Sequence, residues 1–149
     1  GQIQNLTWSP GASYTNFGPF YTVFSNLKYV SLEQATAGGL AAAKLLDSKK
    51  ATRVKVLKVR DLTVLADYFV IASGTSSTHV KSLAEEVEFQ FKEKGVAPIR
   101  TEGFNTQNWF ILDYANVIVH VFSPDARDYY DLDHLWADGE DVPMDFIEE

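Results

Sequence analysis

A regular alternation of residue types in the C-terminal third limits what this chain can fold into. Residues 109–122 read W-F-I-L-D-Y-A-N-V-I-V-H-V-F, which is typical of a β-hairpin with a two-residue turn at Ala115-Asn116. Pairing across that turn predicts one wholly apolar face, made of Phe110, Leu112, Tyr114, Val117, Val119 and Val121. The other face mixes aromatics with a carboxylate and an imidazole, and consists of Trp109, Ile111, Asp113, Ile118, His120 and Phe122. A mixed face of this kind is either covered by a partner or holds a site.

The composition predicts one soluble globular domain. The chain has 149 residues, of which 46% are apolar, and it has no cysteine. This apolar content excludes a mainly disordered protein, and the lack of cysteine excludes disulfides and thiolate metal sites. No apolar run approaches the roughly 20 residues of a membrane helix, and no secretory signal is recognisable. We therefore expect no membrane association.

Charge is distributed unevenly along the chain. The net charge of −7 argues against a protein that holds nucleic acid mainly through phosphate contacts. Six acids lie in the last twelve residues, so residues 138–149 form an acidic tail. This tail is either a solvated segment that aids solubility or a docking element for a basic partner.

The chain divides into three parts by composition. Residues 1–31 contain seven aromatics and a single charge, Lys28, which indicates an extension that is native or was added by cloning. Residues 32–137 carry the patterns of a folded domain, and residues 138–149 are the acidic tail.

Periodicity within residues 32–137 predicts the order αββαβββα. The fold class is α/β, close to α+β, with a mixed sheet of about five strands flanked by helices. Tyr68–Ser73 is apolar almost throughout, so we expect it at the centre of the sheet. Gly74–Ser77 and Lys94-Gly95 mark the start and end of the helix that follows it. The remaining predicted elements are a helix from Leu32, strands at Arg53–Arg60 and Pro98–Gly103, the hairpin, and a short helix at Arg127–Trp136.

The sequence offers little that is typical of an enzyme. Gly74–Ser77 could bind phosphate through helix amides, but a plain helix cap is the favoured interpretation because no phosphate-loop pattern is present. The three histidines lack metal-ligand spacing, and no serine lies in a nucleophile elbow. Asp113 has no second carboxylate beside it, as two-metal chemistry would need. We expect no catalytic residue, no metal and no cofactor.

The polar residues of the hairpin each have two interpretations. Asp113 is either a hairpin-end residue held by nearby amides or a partner contact. His120 is either a packed, hydrogen-bonded residue or a contact.

A basic run also has two interpretations. It could touch RNA phosphates or protect the edge of the sheet, and edge protection is favoured. Its members are Lys49, Lys50, Arg53, Lys55, Lys58 and Arg60.

Four segments in order make the chain resemble the ribosomal silencing factor family, also called Iojap. They are residues 62–80 (L-T-V-L-A-D-Y-F-V-I-A-S-G-T-S-S-T-H-V), Glu102-Gly103, residues 109–122 and residues 130–136 (Y-D-L-D-H-L-W). The resemblance runs from about Leu32 to Ala137. It implies a nucleotidyltransferase-like fold without the catalytic acids. The usual Gly-Asp of the hairpin turn is Ala115-Asn116 here.

The resemblance also implies a function. Family members bind the fourteenth protein of the large ribosomal subunit and block joining of the small subunit, and organellar relatives act in large-subunit assembly. We therefore expect a non-enzymatic translation regulator in the cytoplasm, or in a mitochondrion or plastid. Direct RNA contact is left open. The alternatives are a nucleotidyltransferase-like phosphate-binding enzyme and a homodimer that buries its own aromatic face.

Matched position by position, the resemblance implies that the contact with the ribosomal partner lies on the mixed face of the hairpin. Trp109 is the expected anchor, Asp113 and His120 the polar contacts, and Ile111 and Phe122 its apolar part. Four residues match the terminal motif and either contact the partner or close the core: Tyr130, Leu132, Leu135 and Trp136.

Overall fold

The computed structural model describes residues 32–103 and 108–144, with side chains from residue 33 onward. The extension at residues 1–31, the turn predicted at residues 105–107 and the last five residues lie outside these ranges.

Within the described residues, five helices and strands precede the hairpin, two strands form it and three elements follow it. The first group is α1 (Leu32–Ser48), β1 (Thr52–Lys58), β2 (Tyr68–Ser73), α2 (Ser77–Glu93) and β3 (Arg100–Glu102). The second group is β4 (Trp109–Asp113), β5 (Val117–Phe122), α3 (Pro124–Tyr130), α4 (Leu132–Leu135) and β6 (Glu140–Asp141). The strands form one mixed sheet in the order β3-β4-β5-β2-β1-β6, which confirms the predicted fold class. None of the helices in the described ranges is long and apolar enough to cross a membrane.

Strand β2 occupies the interior of the sheet, as its apolar sequence predicts. All six of its residues are buried. It pairs parallel with β5, from Tyr68 opposite Val117 to Ser73 opposite Phe122, and antiparallel with β1. A strand buried on both faces needs apolar side chains at every position, which explains the lack of alternation in its sequence.

The hairpin has the predicted register. Trp109 pairs with Phe122, Ile111 with His120, and Asp113 with Ile118. The Tyr114 N–H donates to the Val117 carbonyl at 2.9 Å, which closes the turn. Ala115 adopts a φ of 71°, a left-handed conformation that crowds its Cβ.

Helices α1 and α2 cover the apolar face of the sheet, called here the covered face. Phe110, Leu112 and Tyr114 of the hairpin are fully buried there with apolar residues of both helices. The Ser76 hydroxyl accepts a hydrogen bond from the His79 N–H at 3.1 Å and so caps α2. Gly95, at φ 85°, follows its last turn. The side chains that alternate along the hairpin therefore lie on opposite sides of one sheet.

The opposite face carries a smaller apolar cluster beneath α3 and α4. Leu57, Phe69, Ile71 and Phe122 of the strands meet Leu132 there. The prediction of a single helix at Arg127–Trp136 is wrong: Asp131, at φ 50°, separates α3 from α4. The left-handed conformation at Asp131 turns the chain back over the sheet, and Asp tolerates that conformation better than most residues.

The sheet has six strands because the acidic segment adds one. Residues Glu140 and Asp141 pair with Lys58 and Leu57 of β1, and the Val142 N–H donates to the Val56 carbonyl. Met144 packs against the cluster on the covered face. Residues 138–144 are therefore joined to the domain. Strand β1 is consequently second from the edge, with β6 beside its last residues only.

The conformation of Ala115 leads to a stability prediction. Ala115→Gly should raise the free energy of unfolding by about 0.5 to 1 kcal/mol, because glycine adopts positive φ without the Cβ clash. Urea denaturation measures the change. The matched control is Ala41→Gly on the exposed side of α1, where the same substitution should cost about 1 kcal/mol. If both substitutions lowered the free energy of unfolding equally, the left-handed conformation assigned to Ala115 would be wrong.

Candidate functional site

An aromatic cluster centred on Trp109 occupies the face opposite α1 and α2. The Trp109 ring stacks on Phe122 with centroids 5.0 Å apart and contacts the Tyr130 ring at 4.6 Å. Its Nε1–H donates to His120 Nδ1 at 3.1 Å. Phe122 is fully buried under it. The half-buried indole is thus fixed from below by β5 and from the side by α3.

His120 lies inside this cluster rather than at its surface. The side chain is 7% exposed and packs edge-on against Phe69 at 5.0 Å. Because Nδ1 accepts from Trp109, the ring proton is assigned to Nε2, which has no hydrogen-bond partner among the described residues. Burial lowers the pKa of His120 to about 3, so the imidazole is neutral at pH 7. His120 therefore orients Trp109.

Asp113 is held by the turn that follows it. One carboxylate oxygen accepts the Ala115 N–H at 2.8 Å, and the other lies 3.4 Å from Arg100 Nε on β3. This is the geometry of a hairpin-end residue held by a nearby amide. Across residues 32–103 and 108–144, no three acidic or histidine side chains converge as metal ligands would.

The terminal motif divides between core and surface. Leu132 is 7% exposed and belongs to the apolar cluster, and Trp136 packs edge-on against Phe69 at 5.1 Å. Tyr130 and Leu135 are 49% and 69% exposed. Two of the four residues therefore help to close the core. Tyr130 presents apolar surface beside Trp109, and Leu135 is exposed on α4.

The segment at Gly74–Ser77 has the geometry of a helix cap. Besides the cap at Ser76, the Thr75 N–H donates to His79 Nδ1 at 2.9 Å. The amides of Thr75 and His79 are therefore bonded within the chain. An open cleft of about 690 Å³ adjoins the segment and is also lined by Pro124, Tyr129 and Tyr130.

Arg127 supports the site and was not singled out by the sequence. Its side chain is 3% exposed and donates from Nε and Nη2 to the two oxygens of Asp133, at 2.7 and 2.9 Å. Its Nη1 donates to the Ser73 hydroxyl at the end of β2, at 3.0 Å. This buried guanidinium ties β2, α3 and α4 together. The pair spans a helix break, so no helical spacing reveals it.

These residues define a surface that we call the docking face. It is the side of the sheet opposite α1 and α2, and its accessible members are Trp109, Ile111, Asp113, Tyr130 and Leu135. His120, Phe122, Leu132 and Trp136 lie beneath or between them. Exposed aromatic and aliphatic side chains on a rigid sheet suit protein recognition.

Comparisons with known proteins agree on one family. The profile of the family described as "Ribosomal silencing factor during starvation" matches residues 33–149. Ribosomal silencing factor RsfS of Bacillus subtilis is 37% identical over 105 residues, which cover 70% of this chain and 89% of that protein. The mouse protein "Mitochondrial assembly of ribosomal large subunit protein 1" is 27% identical over 117 residues, covering 69% of this chain and 51% of that protein.

A solved structure has the same fold. A crystal structure of a protein from Chromobacterium violaceum superposes with a TM-score of 0.66 at 31% sequence identity. The alignment covers 78% of this chain and 94% of that one. The fold described above is therefore shared over nearly the whole length of that protein.

The Arg127–Asp133 pair generates a prediction about stability and pH. Asp133→Asn should lower the free energy of unfolding by about 2 to 3 kcal/mol at pH 7, because it leaves a buried guanidinium without its counter-charge. The Arg127 hydrogen bond lowers the pKa of Asp133 below its ordinary value. Its stabilising contribution is therefore complete above about pH 4, the unfolded pKa, and is lost as the pH falls through the lower folded pKa.

Urea denaturation of the parent and the variant from pH 7 to pH 3 measures this contribution. The difference in the free energy of unfolding between the parent and Asp133→Asn should narrow only at the acid end of this pH range. Asp138→Asn, at an exposed position, is the control and should follow the parent throughout. A gap that stays constant down to pH 3 would show that the carboxylate charge is not what stabilises α3 and α4.

Proposed function

Because this chain belongs to the ribosomal silencing factor family, we propose that it binds the large ribosomal subunit and lowers translation by keeping the small subunit from joining. The proposed contact on the large subunit is its fourteenth protein. The proposed contact on this chain is the docking face, with Trp109 as the anchor and Asp113 as a polar contact.

The observation that carries this proposal is the difference between the two faces of the sheet. The covered face is closed by two helices of 17 residues each, whereas the docking face leaves a half-buried indole beside exposed Tyr130, with exposed Leu135 on α4. Trp and Tyr supply much of the binding energy at protein interfaces. The indole is already fixed by Phe122 and His120, so little side-chain entropy is lost on binding.

We propose that the chain acts by occupying space and not by catalysis. The neutral His120 is buried, and Asp113 is occupied by Ala115 and Arg100. A folded domain seated on the intersubunit side of the large subunit would exclude the small subunit by volume alone. The proposal therefore needs no cofactor, metal or nucleophile.

The charge of the chain suits a basic ribosomal protein. Its net charge is −7, and ribosomal proteins that bind RNA are rich in Lys and Arg. Electrostatic attraction between an acidic protein and a basic partner raises their association rate at low salt. We expect the protein to act wherever its large subunit resides, in the bacterial cytoplasm or in an organelle.

Large-subunit assembly is the second candidate function. It is motivated by the printed name of the mouse relative and would use the same docking face. The two roles differ in timing, because an assembly factor binds immature particles whereas a silencing factor binds mature ones. Association with mature large subunits and loss of joined ribosomes would favour silencing.

Substitutions at exposed positions test the docking face with little risk to folding. Tyr130→Ala and Leu135→Ser should each weaken binding to purified large subunits about tenfold, since each removes exposed apolar surface from the proposed contact. Trp109→Ala should abolish detectable binding. Co-sedimentation with large subunits measures the affinity, and circular dichroism checks that each variant folds.

The matched control is Phe89→Ser on α2. Phe89 is 55% exposed, similar to Tyr130 and Leu135, but α2 packs on the covered face. This variant should bind like the parent and should inhibit the joining of purified subunits equally well. Equal losses from Phe89→Ser and Leu135→Ser would show that the docking face has been assigned to the wrong side of the sheet.

A further inference from the structure

The exposed large apolar side chains of the described residues fall into two groups, apart from Phe89. One group lies on α3 and α4, where Tyr130 contacts Trp109, and consists of Tyr129, Tyr130 and Leu135. The other lies near the opposite end of the hairpin and consists of Leu62, Val64, Leu65 and Ile99. Val64 is fully exposed, Leu65 is 66% exposed and Ile99 is 58% exposed. The first group belongs to the docking face, whereas the second lies outside it.

Val64, Leu65 and Ile99 of the second group line an open cleft of about 570 Å³ between the β1–β2 loop and the hairpin turn. Val64 and Leu65 form one side, and Ile99, Ala115 and Asn116 contribute to the rest. We call it the distal cleft. Its apolar side chains are exposed, but the backbone that carries them is held by hydrogen bonds.

Backbone hydrogen bonds fix this loop. The Val59 N–H donates to the Asp67 carbonyl at 2.8 Å, and the Asp67 N–H donates to the Asn116 carbonyl at 2.9 Å. The Thr63 hydroxyl accepts from the Leu65 N–H at 3.1 Å. Val64 and Leu65 are therefore held out from the domain at a defined position, which lowers the entropy cost of binding through them.

The distal cleft is continuous with the docking face through Asp113. Asp113 projects from the same side of β4 as Trp109 and Ile111, and it also lines the cleft beside Val64 and Leu65. The Ile99 N–H donates to the Asp113 carbonyl at 2.7 Å, which fixes Ile99 at this junction. A partner lying along β4 from Trp109 toward Asp113 would reach the cleft next.

The size of a stable interface supports this extension. Trp109 and Asp113 are four residues apart on one strand, about 13 Å at roughly 3.3 Å per residue. A standard interface buries about 800 Å² on each partner, a patch roughly 28 Å across. The stretch from Trp109 to Asp113 spans about half of that length, and the distal cleft adds apolar surface beyond Asp113.

Charge indicates the chemistry of the occupant. Asp67 and Asp113 line the distal cleft together with Arg60, and Arg100 lies between Asp113 and Glu102. These three acids and two bases leave one excess negative charge, and exposed Asp61 in the same loop adds another. The carboxylates of Asp67 and Asp113 are 19% and 14% exposed beside Arg60 and Arg100. Glu102, at 58%, and Asp61 are exposed, so a partner's cations can reach these two acids at the rim.

We propose that the distal cleft is a second contact of the docking face and that it receives an apolar side chain flanked by Lys or Arg from the basic ribosomal protein. The proposal rests on the proposed function, since the occupant is the same partner. It assigns Val64 and Leu65 a direct role in binding, in addition to the contact at Trp109.

The test compares double and single variants of the full chain in binding to purified large subunits. Val64→Ser combined with Leu65→Ser should weaken binding about tenfold, a loss of the size that truncation of interface residues produces. Both side chains are exposed, so the unfolding midpoint should stay that of the parent. Phe89→Ser is the matched control and should bind like the parent. Light scattering of each variant reports the oligomeric state.

The outcomes separate this proposal from the proposed function. If Trp109→Ala loses binding while the Val64 and Leu65 variant binds within twofold of the parent, the distal contact is wrong and the proposed function stands. If the parent does not bind large subunits, both fall. A parent dimer that becomes monomeric in the variant would show that the cleft holds a second copy of the chain, which also overturns the proposal.

Discussion

The parallel pairing of β2 with β5 determines what each face of this sheet can hold. The two strands run side by side over six residues, and the Gly74 N–H extends the ladder to the Phe122 carbonyl at 2.9 Å. Parallel strands need a crossover connection, and here α2 lies within that connection. It packs on the covered face together with α1. The docking face receives only two short helices, so it stays partly open.

The same pairing explains why the docking face is rigid. His120 lies on β5 with buried Ile71 opposite it on β2, and the imidazole holds the Trp109 indole from below. Ser73 at the end of β2 accepts a hydrogen bond from Arg127, and Arg127 in turn binds Asp133. Strand pairing thus fixes Trp109 at one point and the α3–α4 corner at another. The proposed contact residues are therefore held by the same pair of strands, β2 and β5.

The pattern of residue types along the chain predicted those elements whose structure depends mainly on one local property of the sequence. Alternation fixed the hairpin register, because a slip by one residue would move Phe110 and Leu112 out of the core. A continuous apolar run identified β2. The end of α2 followed from Lys94-Gly95. The family resemblance, now confirmed, added the expected contact residues beyond what these patterns show.

The features that local pattern missed depend on contacts between distant residues. The break at Asp131 occurs where Arg127 pairs with Asp133 and Ser73, a set of contacts that joins α3, α4 and β2. Strand β6 has two acidic residues and forms only because β1 offers an unpaired edge. The burial of His120 depends on Trp109 and Phe69 closing over it. None of these follows from spacing along the chain.

The other proposals depend on contact between the docking face and the large ribosomal subunit. Hydroxyl-radical footprinting of the chain, free and bound to purified large subunits, reads side-chain accessibility on both faces at once. We predict that oxidation of Trp109, Tyr130 and Leu135 falls on binding while that of Phe89 on α2 is unchanged. Protection of Phe89 with Tyr130 and Leu135 still reactive would contradict it.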